Sequence, residues 1–300
     1  MKNNQEYIKT NTTFVISGHN TRYLTALACE SLHLNGNIPK EQIVYFDDFS
    51  TDGSREEMES RGFHVITWTK EFFEAFYSIE ELRDDLAVRV GQIVSCILHQ
   101  IDTEYVCFFD NDLIHTGDTP SWMLDLTGET EWSICGALQE WENSPALTRF
   151  LHTALWCNRT VLAQTDCLGE SLDAVYSLYK TLGRAAFNEV YDTGSIFFKQ
   201  AEERTLDMIS FDLVDPDFPA LHCVMTSATM RDDVNCINDY DELQEIFLKH
   251  INYDASLAVC RAADINLIDI IQNYFDNHRK SPLCENIEDA RNIIADYSNF

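Results

Sequence analysis

The chain has 300 residues, 45% hydrophobic, 12% aromatic and 24% charged, a globular composition that excludes disordered, collagenous and low-complexity classes. Its 21 Lys and Arg stand against 50 Asp and Glu, a formal charge of -29, so the surface repels phosphate backbones and anionic lipid headgroups and disfavours passive nucleic-acid or membrane binding. An anionic small ligand would need a local bridge, and a divalent cation is one that acidic side chains hold well.

The ten cysteines include no C-x-x-C pair, and several sit in apolar runs such as Tyr105-Val-Cys-Phe-Phe109. This pattern favours reduced core thiols over a zinc site or a disulfide framework. The opening Met1-Lys-Asn-Asn-Gln-Glu-Tyr7 is polar, without the apolar core of a secretory signal. No apolar stretch approaches the ~20 residues of a membrane span. The expectation is a soluble, cytoplasmic protein.

The first half alternates strands and helices. Thr12–Ile16 is a β-branched and aromatic run, and helical periodicity follows from Tyr23 to Leu34. A second strand, Gln42–Phe46, breaks into Asp47-Asp48-Phe49-Ser50-Thr51-Asp52-Gly53, where Ser50 or Asp52 can cap a helix at Arg55–Ser60. Phe63–Trp68 reads as a third strand. Apolar residues at 82, 86, 90, 93, 94 and 97 mark one helix face, and Tyr105–Phe109 is apolar throughout, as a strand buried on both sides of a parallel sheet is. Beyond residue 120 strands are expected at Ser133–Leu138 and Gly194–Phe198, with helices near 145–156 and 168–182. Helices at 240–250, 255–278 and 286–297 form a C-terminal extension.

This alternation predicts an α/β sandwich with a mostly parallel central sheet, in which ligands bind beyond the carboxyl ends of the strands. Two of those ends are rich in carboxylates. In Phe108-Phe109-Asp110-Asn111-Asp112 alternate side chains share a face, so Asp110 and Asp112 can point one way. Two carboxylates so close repel unless a cation joins them, and Mg²⁺ or Mn²⁺ completed by diphosphate oxygens and water fits. The alternative is a solvated loop. Asp48 suits the nucleoside end of a nucleotide, where a carboxylate accepts N–H or ribose hydroxyl bonds. Ser17-Gly18-His19-Asn20-Thr21-Arg22 supplies small and polar residues that let backbone approach a ligand, yet it matches neither a Rossmann glycine fingerprint nor a P-loop.

Val15-Ile-Ser-Gly-His-Asn20, Glu30-Ser-Leu32, Ile43 to Ser54 and Tyr105 to Asp112 follow one another in an order that resembles nucleotide-sugar glycosyltransferases of the GT-A fold. The large inverting family 2 is the nearest likeness, over roughly residues 12–115. The resemblance implies a Rossmann-like α/β/α sandwich in which Asp48 contacts the base, Ser17 and Asn20 line the nucleoside pocket, and Asp110 and Asp112 serve ribose and metal-diphosphate. Arg89 resembles the family's arginine ahead of the D-x-D strand; the alternative for it is a surface ion pair. Phe49 departs from the small residue usual there.

The second half bears on the acceptor. Inverting transfer needs a base for the acceptor hydroxyl's proton, and in Asn188-Glu-Val-Tyr-Asp-Thr-Gly194 the candidate is Asp192, with Glu189 behind it. Tyr191-Asp-Thr-Gly194 also resembles the donor-sugar turn of retaining GT-A enzymes, which would give Asp192 different work. His222 is a candidate third metal ligand of the kind found late in retaining enzymes. Trp132, Trp141 and Trp156 are candidates for stacking on a sugar or for core packing.

The expected organisation is a catalytic domain at 1–235, its nucleotide half at 12–120 and acceptor half at 120–235, followed by a helical extension at 236–300. The expected activity is transfer of a sugar from a nucleoside diphosphate sugar to a glycan or other hydroxyl acceptor with Mn²⁺ or Mg²⁺. Two alternatives stand beside it. A nucleotidyltransferase on a similar sheet would present a glycine-rich basic loop after the first strand, which Ser17–Arg22 matches poorly. A non-catalytic carbohydrate-binding or assembly protein would keep the sheet without turnover.

Overall fold

The computed structural model describes residues 2–128, 130–139, 148–213, 215–222, 253–266, 268–270 and 272–273. The chain is mixed α/β, with a seven-stranded, mostly parallel sheet and a separate two-stranded one. It divides into two compact units, the first holding Met1–Thr13, Trp68–Phe108 and Met123–Asp215 and the second Phe14–Thr67, Phe109–Trp122 and Pro216–Phe300.

The second unit is built on β1 (Thr12–Gly18), α2 (Arg22–Leu34), β2 (Ile43–Asp47), α3 (Ser54–Ser60) and β3 (His64–Ile66). The α1 helix (Lys2–Thr10) precedes them in the chain and belongs to the first unit. β1 pairs with β2 in parallel, Phe14 opposite Ile43 and Gly18 opposite Asp47, and β2 pairs with β3 in parallel. Phe14 and Ile16 are 0% exposed, as are Ile43 and Phe46. Strands covered on both faces need such unbroken apolar runs, and each large side chain buried contributes roughly 1.5–3 kcal/mol. The α2 helix is buried from Leu24 to Leu32. Outside that core Arg22 and Arg61 both bind Glu57, at 2.5 and 2.7 Å, and Lys40 binds Glu30 at 2.7 Å.

The first unit carries α4 (Lys70–Tyr77), α5 (Leu86–Gln100) and most of β4 (Tyr105–Asp110). The tip of β4, then β5 (Leu113–His115) and the start of α6 (Thr119–Thr127), belong to the second unit. β6 (Ile134–Gln139), β7 (Arg149–Asn158), α7 (Arg159–Gln164), α8 (Leu172–Phe187), α9 (Ser195–Glu203) and β8 (Met208–Phe211) complete the first unit. β9 (Ala220–His222) returns to the second unit and pairs antiparallel with β5, and α10 (Tyr253–Ala263) packs on α2 there. Arg61 Nη1 donates to the Ala263 carbonyl at 2.8 Å and so holds the end of that helix.

Four expectations are corrected. Residues 149–158 form a strand and not a helix, because Leu155 to Cys157 all bury in register with β6, Cys135 opposite Trp156. Residues 195–203 form a helix and not a strand: Gly194 sits at φ 84°, the left-handed value that reverses the chain into α9. The Ser-Ile-Phe-Phe run is too short for its periodicity to separate the two states. The α4 helix was not expected; Thr69 caps it by accepting from Phe72 N, and Trp68 stacks on Phe76 at 5.7 Å. The helix expected at 255–278 is interrupted after Ala263, with Asp264 at φ 54°, and the described residues 268–270 and 272–273 are helical again. The helices expected at 240–250 and 286–297, and the boundary at 235/236, lie outside the described residues. Each of the seven described cysteines is free and buried.

Candidate functional site

In the second unit the loop after β1, the loop after β2 and the tip of β4 meet around Gly18. Asp48 N donates to the Gly18 carbonyl at 3.0 Å. Asn111 Nδ2 donates to Thr21 Oγ1 at 2.6 Å. A β-carbon on Gly18 would stand 2.8 Å from Thr25 Oγ1 and 3.0 Å from both Asn111 Nδ2 and Thr21 Oγ1. Glycine is therefore required by close approach, the middle residue of the D-x-D being packed against the first loop.

Within the loop after β2 the acidic residues divide their work. Asp47 Oδ1 accepts from Tyr45 Oη at 3.0 Å and from Ser50 N at 3.1 Å, closing the turn. Burial, then the Asp47 charge, hold the Tyr45 phenol well above its usual range. Asp52 Oδ1 accepts from Ser54 N, opening α3, while its Oδ2 accepts from Arg22 N, opening α2, and from Asn273 Nδ2. One carboxylate thus caps two helix starts. Asp48 follows Asp47 in the same loop. It is 7% exposed, and its carbonyl lies 2.6 Å from His19 Nδ1. With His19 donating there, Nε2 accepts from Asn20 Nδ2 at 3.0 Å. Asn20 Oδ1 accepts from Thr51 N at 2.7 Å, and Asn20 N donates to Ser50 Oγ. Asn20 is 4% exposed and Ser17 is half-buried at the end of β1. Phe49, the residue out of keeping with the resemblance, sits at φ 59° with 2% of its side chain exposed. Its packing offsets a backbone conformation that costs a bulky residue on the order of 1 kcal/mol or more.

Asp110 ends β4 half-buried and Asp112 is 1% exposed. β5 then places Leu113 opposite His222 of β9. Ser17, Asn20, Asp48, Asp110, Asp112 and His222 all belong to this one unit. Among the described residues no three His, Cys, Asp or Glu side chains form a group that could hold a metal by themselves. A cation held by one or two carboxylates and finished by phosphate oxygens and water needs no such trio, and that is the usual habit of Mg²⁺. The donor set fits that mode.

His115, two residues beyond Leu113, is wholly buried. Its Nδ1 is 2.9 Å from Thr119 Oγ1, Nε2 finds no hydrogen-bond partner among the described residues, and its ring stands edge-on to Phe109 at 4.6 Å. Burial pushes its pKa down to about 3.

The remaining candidates lie in the first unit. Arg89 is 1% exposed on α5, with Nη1 donating to Tyr77 Oη at 3.3 Å, so it is no surface ion pair. Asp192 Oδ1 meets Arg149 Nη1 at 2.5 Å and accepts from Thr193 N at 2.7 Å. Glu189 is exposed on the turn after α8. Trp156 is buried with Nε1 donating to Thr12 Oγ1, and Trp132 packs edge-on against it at 6.1 Å, so both serve the core. Trp141 lies outside the described residues.

Sequence reasoning missed Asn111, Arg149 and Glu170. Asn111 stood in plain view inside the D-x-D, where attention goes to the acids. Glu170 is 2% exposed at the edge of a cavity lined by Gly91, Phe150, His152, Gly194 and Phe197. Nothing local marks it, because its partners come from α5 and α9.

No family model and no curated protein matches the sequence. Among solved structures the chain is similar to a mannosyltransferase, PcManGT from Pyrobaculum calidifontis in complex with GDP-Man and Mn²⁺, at 11% identity over 96% of this chain and 80% of that one, TM-score 0.44. It is also similar to glucosyl-3-phosphoglycerate synthase from Mycobacterium tuberculosis in complex with Mn²⁺, UDP-Glc and phosphoglyceric acid, at 13% identity over 89% and 85%, TM-score 0.40. At these identities and TM-scores neither likeness carries an assignment of this chain.

Proposed function

We propose that the chain is a metal-dependent glycosyltransferase that moves a sugar from a nucleoside diphosphate sugar to an acceptor hydroxyl. The observation that carries this reading is the convergence on Gly18 of the Asp48 loop, the Ser17–Asn20 loop and the Asp110-Asn111-Asp112 tip, in a chain whose net charge is -29. Such a molecule binds a diphosphate only where its own acids are neutralised, and the D-x-D tip supplies two acids beside two polar loops.

In this reading Asp48, Ser17 and Asn20 hold the nucleoside. Asp47 and Asp52 are occupied with turn and helix ends, so their work is to keep the loop in shape. Asp110 and Asp112 would hold the cation, with His222 on the strand opposite Leu113 as a further ligand. When bound, Mn²⁺ or Mg²⁺ neutralises charge on the leaving diphosphate. For the acceptor's proton the candidate remains Asp192, with Glu189 as its neighbour on the same turn, on carboxylate chemistry alone. If transfer retains configuration, Asp192 instead contacts the donor sugar.

The test is incubation of the full chain with a panel of UDP-, GDP- and TDP-sugars and Mn²⁺, following release of nucleoside diphosphate. Slow release without acceptor is expected for at least one donor. No turnover with any donor, together with no metal-dependent nucleotide binding, would leave the non-catalytic carbohydrate-binding reading. Pyrophosphate release from a nucleoside triphosphate would favour a nucleotidyltransferase.

A further inference from the structure

The first unit contains a carboxylate that no local role explains. Glu170 is 2% exposed, and Oε1 accepts from Phe197 N at 3.1 Å. Phe197 is the third residue of α9, and the residue opening that helix, Gly194, has no side chain to cap it. The free N–H groups of a helix start need an acceptor, most often from the residue just before the helix. Here the acceptor comes from 27 positions earlier in the chain. The Gly194 and Ile196 amides act on the same carboxyl.

Glu170 is also held from behind. Its carbonyl accepts from Gln92 Nε2 at 3.0 Å and Ser95 Oγ at 2.9 Å, both on α5. A β-carbon on Gly91 would stand 2.8 Å from Glu170 Cγ and 3.2 Å from Tyr191 Oη, so α5 has a glycine where the two side chains pass. Glu170 Oε2 and Tyr191 Oη are buried beside each other, and among the described residues neither closes a hydrogen bond of good geometry. Around the carboxyl the ionisable groups are Tyr191, which also feels Asp85 and Asp192, Cys167 on the approach to Glu170, and His152 on the cavity wall.

The segment that Glu170 secures is the one that bears Asp192. Between Tyr191 and Ser195 the chain makes a tight turn: Ser195 N donates to the Asp192 carbonyl at 3.0 Å, and Thr193 Oγ1 donates to the Ala87 carbonyl at 2.8 Å. Capping of α9 fixes where this turn ends. We propose that Glu170 is a positioning residue, its carboxylate capping α9 from a distance and thereby setting the turn that presents Asp192 and Thr193. Its kinetic consequence rests on the glycosyltransferase reading, whereas its structural consequence does not.

Burial is the largest influence on Glu170 and raises its pKa to about 7, with the α9 amides opposing. The cap therefore gains its charge as pH rises through neutrality. Glu170→Gln keeps the shape and an acceptor oxygen toward Phe197 N but cannot ionise. In the full-length protein the amide resonances of Gly194, Ile196 and Phe197 are expected to shift with a midpoint near pH 7, and to stop doing so in Glu170→Gln. Donor turnover is expected to show a pH limb with the same midpoint in the parent, absent in the variant, with KM for donor changed less than threefold. Glu170→Ala, lacking the acceptor, is expected to lose turnover at every pH. Flat amide shifts in the parent, or a Glu170→Gln profile that superposes on it, would overturn the proposal. Titrating amides in a protein that turns over no donor would uphold it and sink the glycosyltransferase reading.

Discussion

The side-chain amide of Asn111 lies 3.0 Å from the point where a β-carbon on Gly18 would stand. Two strand ends distant in sequence are thus in van der Waals contact through a position that tolerates only hydrogen. Gly18→Ala must push Asn111 off Thr21 or shift the first loop. Overpacking of this kind costs about 1–3 kcal/mol. The expected result is a lower urea midpoint and metal-dependent nucleotide binding weakened at least tenfold. Unchanged binding would show that the D-x-D tip and the first loop can separate without loss.

Asp112 is the more buried of the paired acids, so replacing it isosterically tests chemistry without opening a cavity. Asp112→Asn is expected to fold and to lose turnover by on the order of 10²-fold or more, since a cation at a phosphoryl oxygen supplies several kcal/mol of charge stabilisation. Titration with Mn²⁺ in the presence of nucleoside diphosphate should show the same loss. Parent-like Mn²⁺ dependence would remove Asp112 from the metal set.

His115 gives the second unit a pH signature. Its folded pKa of about 3 lies below the unfolded 6.5. A depressed value means that the native state excludes the proton, so this group's contribution to stability is present above pH 6.5 and is lost as pH falls toward 3. Replacement by an uncharged side chain of similar size, His115→Gln, should flatten that decline. The check is the thermal midpoint of both proteins across this window; parallel curves would mean that His115 takes up its proton in the native state as readily as in the unfolded one.

What could be read in advance follows from where the partners of each residue lie. β1, α2, β2 and β4 announce themselves because burial acts on neighbours in sequence: Phe14 to Ile16 and Tyr105 to Phe109 carry their apolar character in one run. The carboxylate-rich loops were visible for the same reason. The strand at Arg149–Asn158 was misread because its burial is irregular, with Leu151 and His152 both partly exposed before five buried residues, and a register shift falls between Gly136 and Ala137 of its partner. The α9 helix was misread because its cap, Glu170, lies elsewhere in the chain. Asn111 and Glu170 act only through contacts that folding creates, and a single sequence does not display these.

Asp192 is the last of the carboxylates to be tested, and Arg149 determines how. Their 2.5 Å contact holds the carboxylate in one orientation, with side-chain exposures of 15% for the arginine and 31% for the aspartate. Partial solvent access keeps such a pair modest, at about 1 kcal/mol or less in a double-mutant cycle. Arg149→Leu should therefore cost little stability beyond that pair and its bonds to Gln139 and to the Thr193 carbonyl. Asp192→Asn retains shape and removes the proton acceptor. If Asp192 takes the proton of the acceptor hydroxyl, turnover falls by roughly 10²–10⁴-fold while donor affinity stays near that of the parent. If it instead touches the donor sugar, affinity falls together with turnover. Full activity in Asp192→Asn would confine the pair to holding the turn, and the base would have to be sought elsewhere.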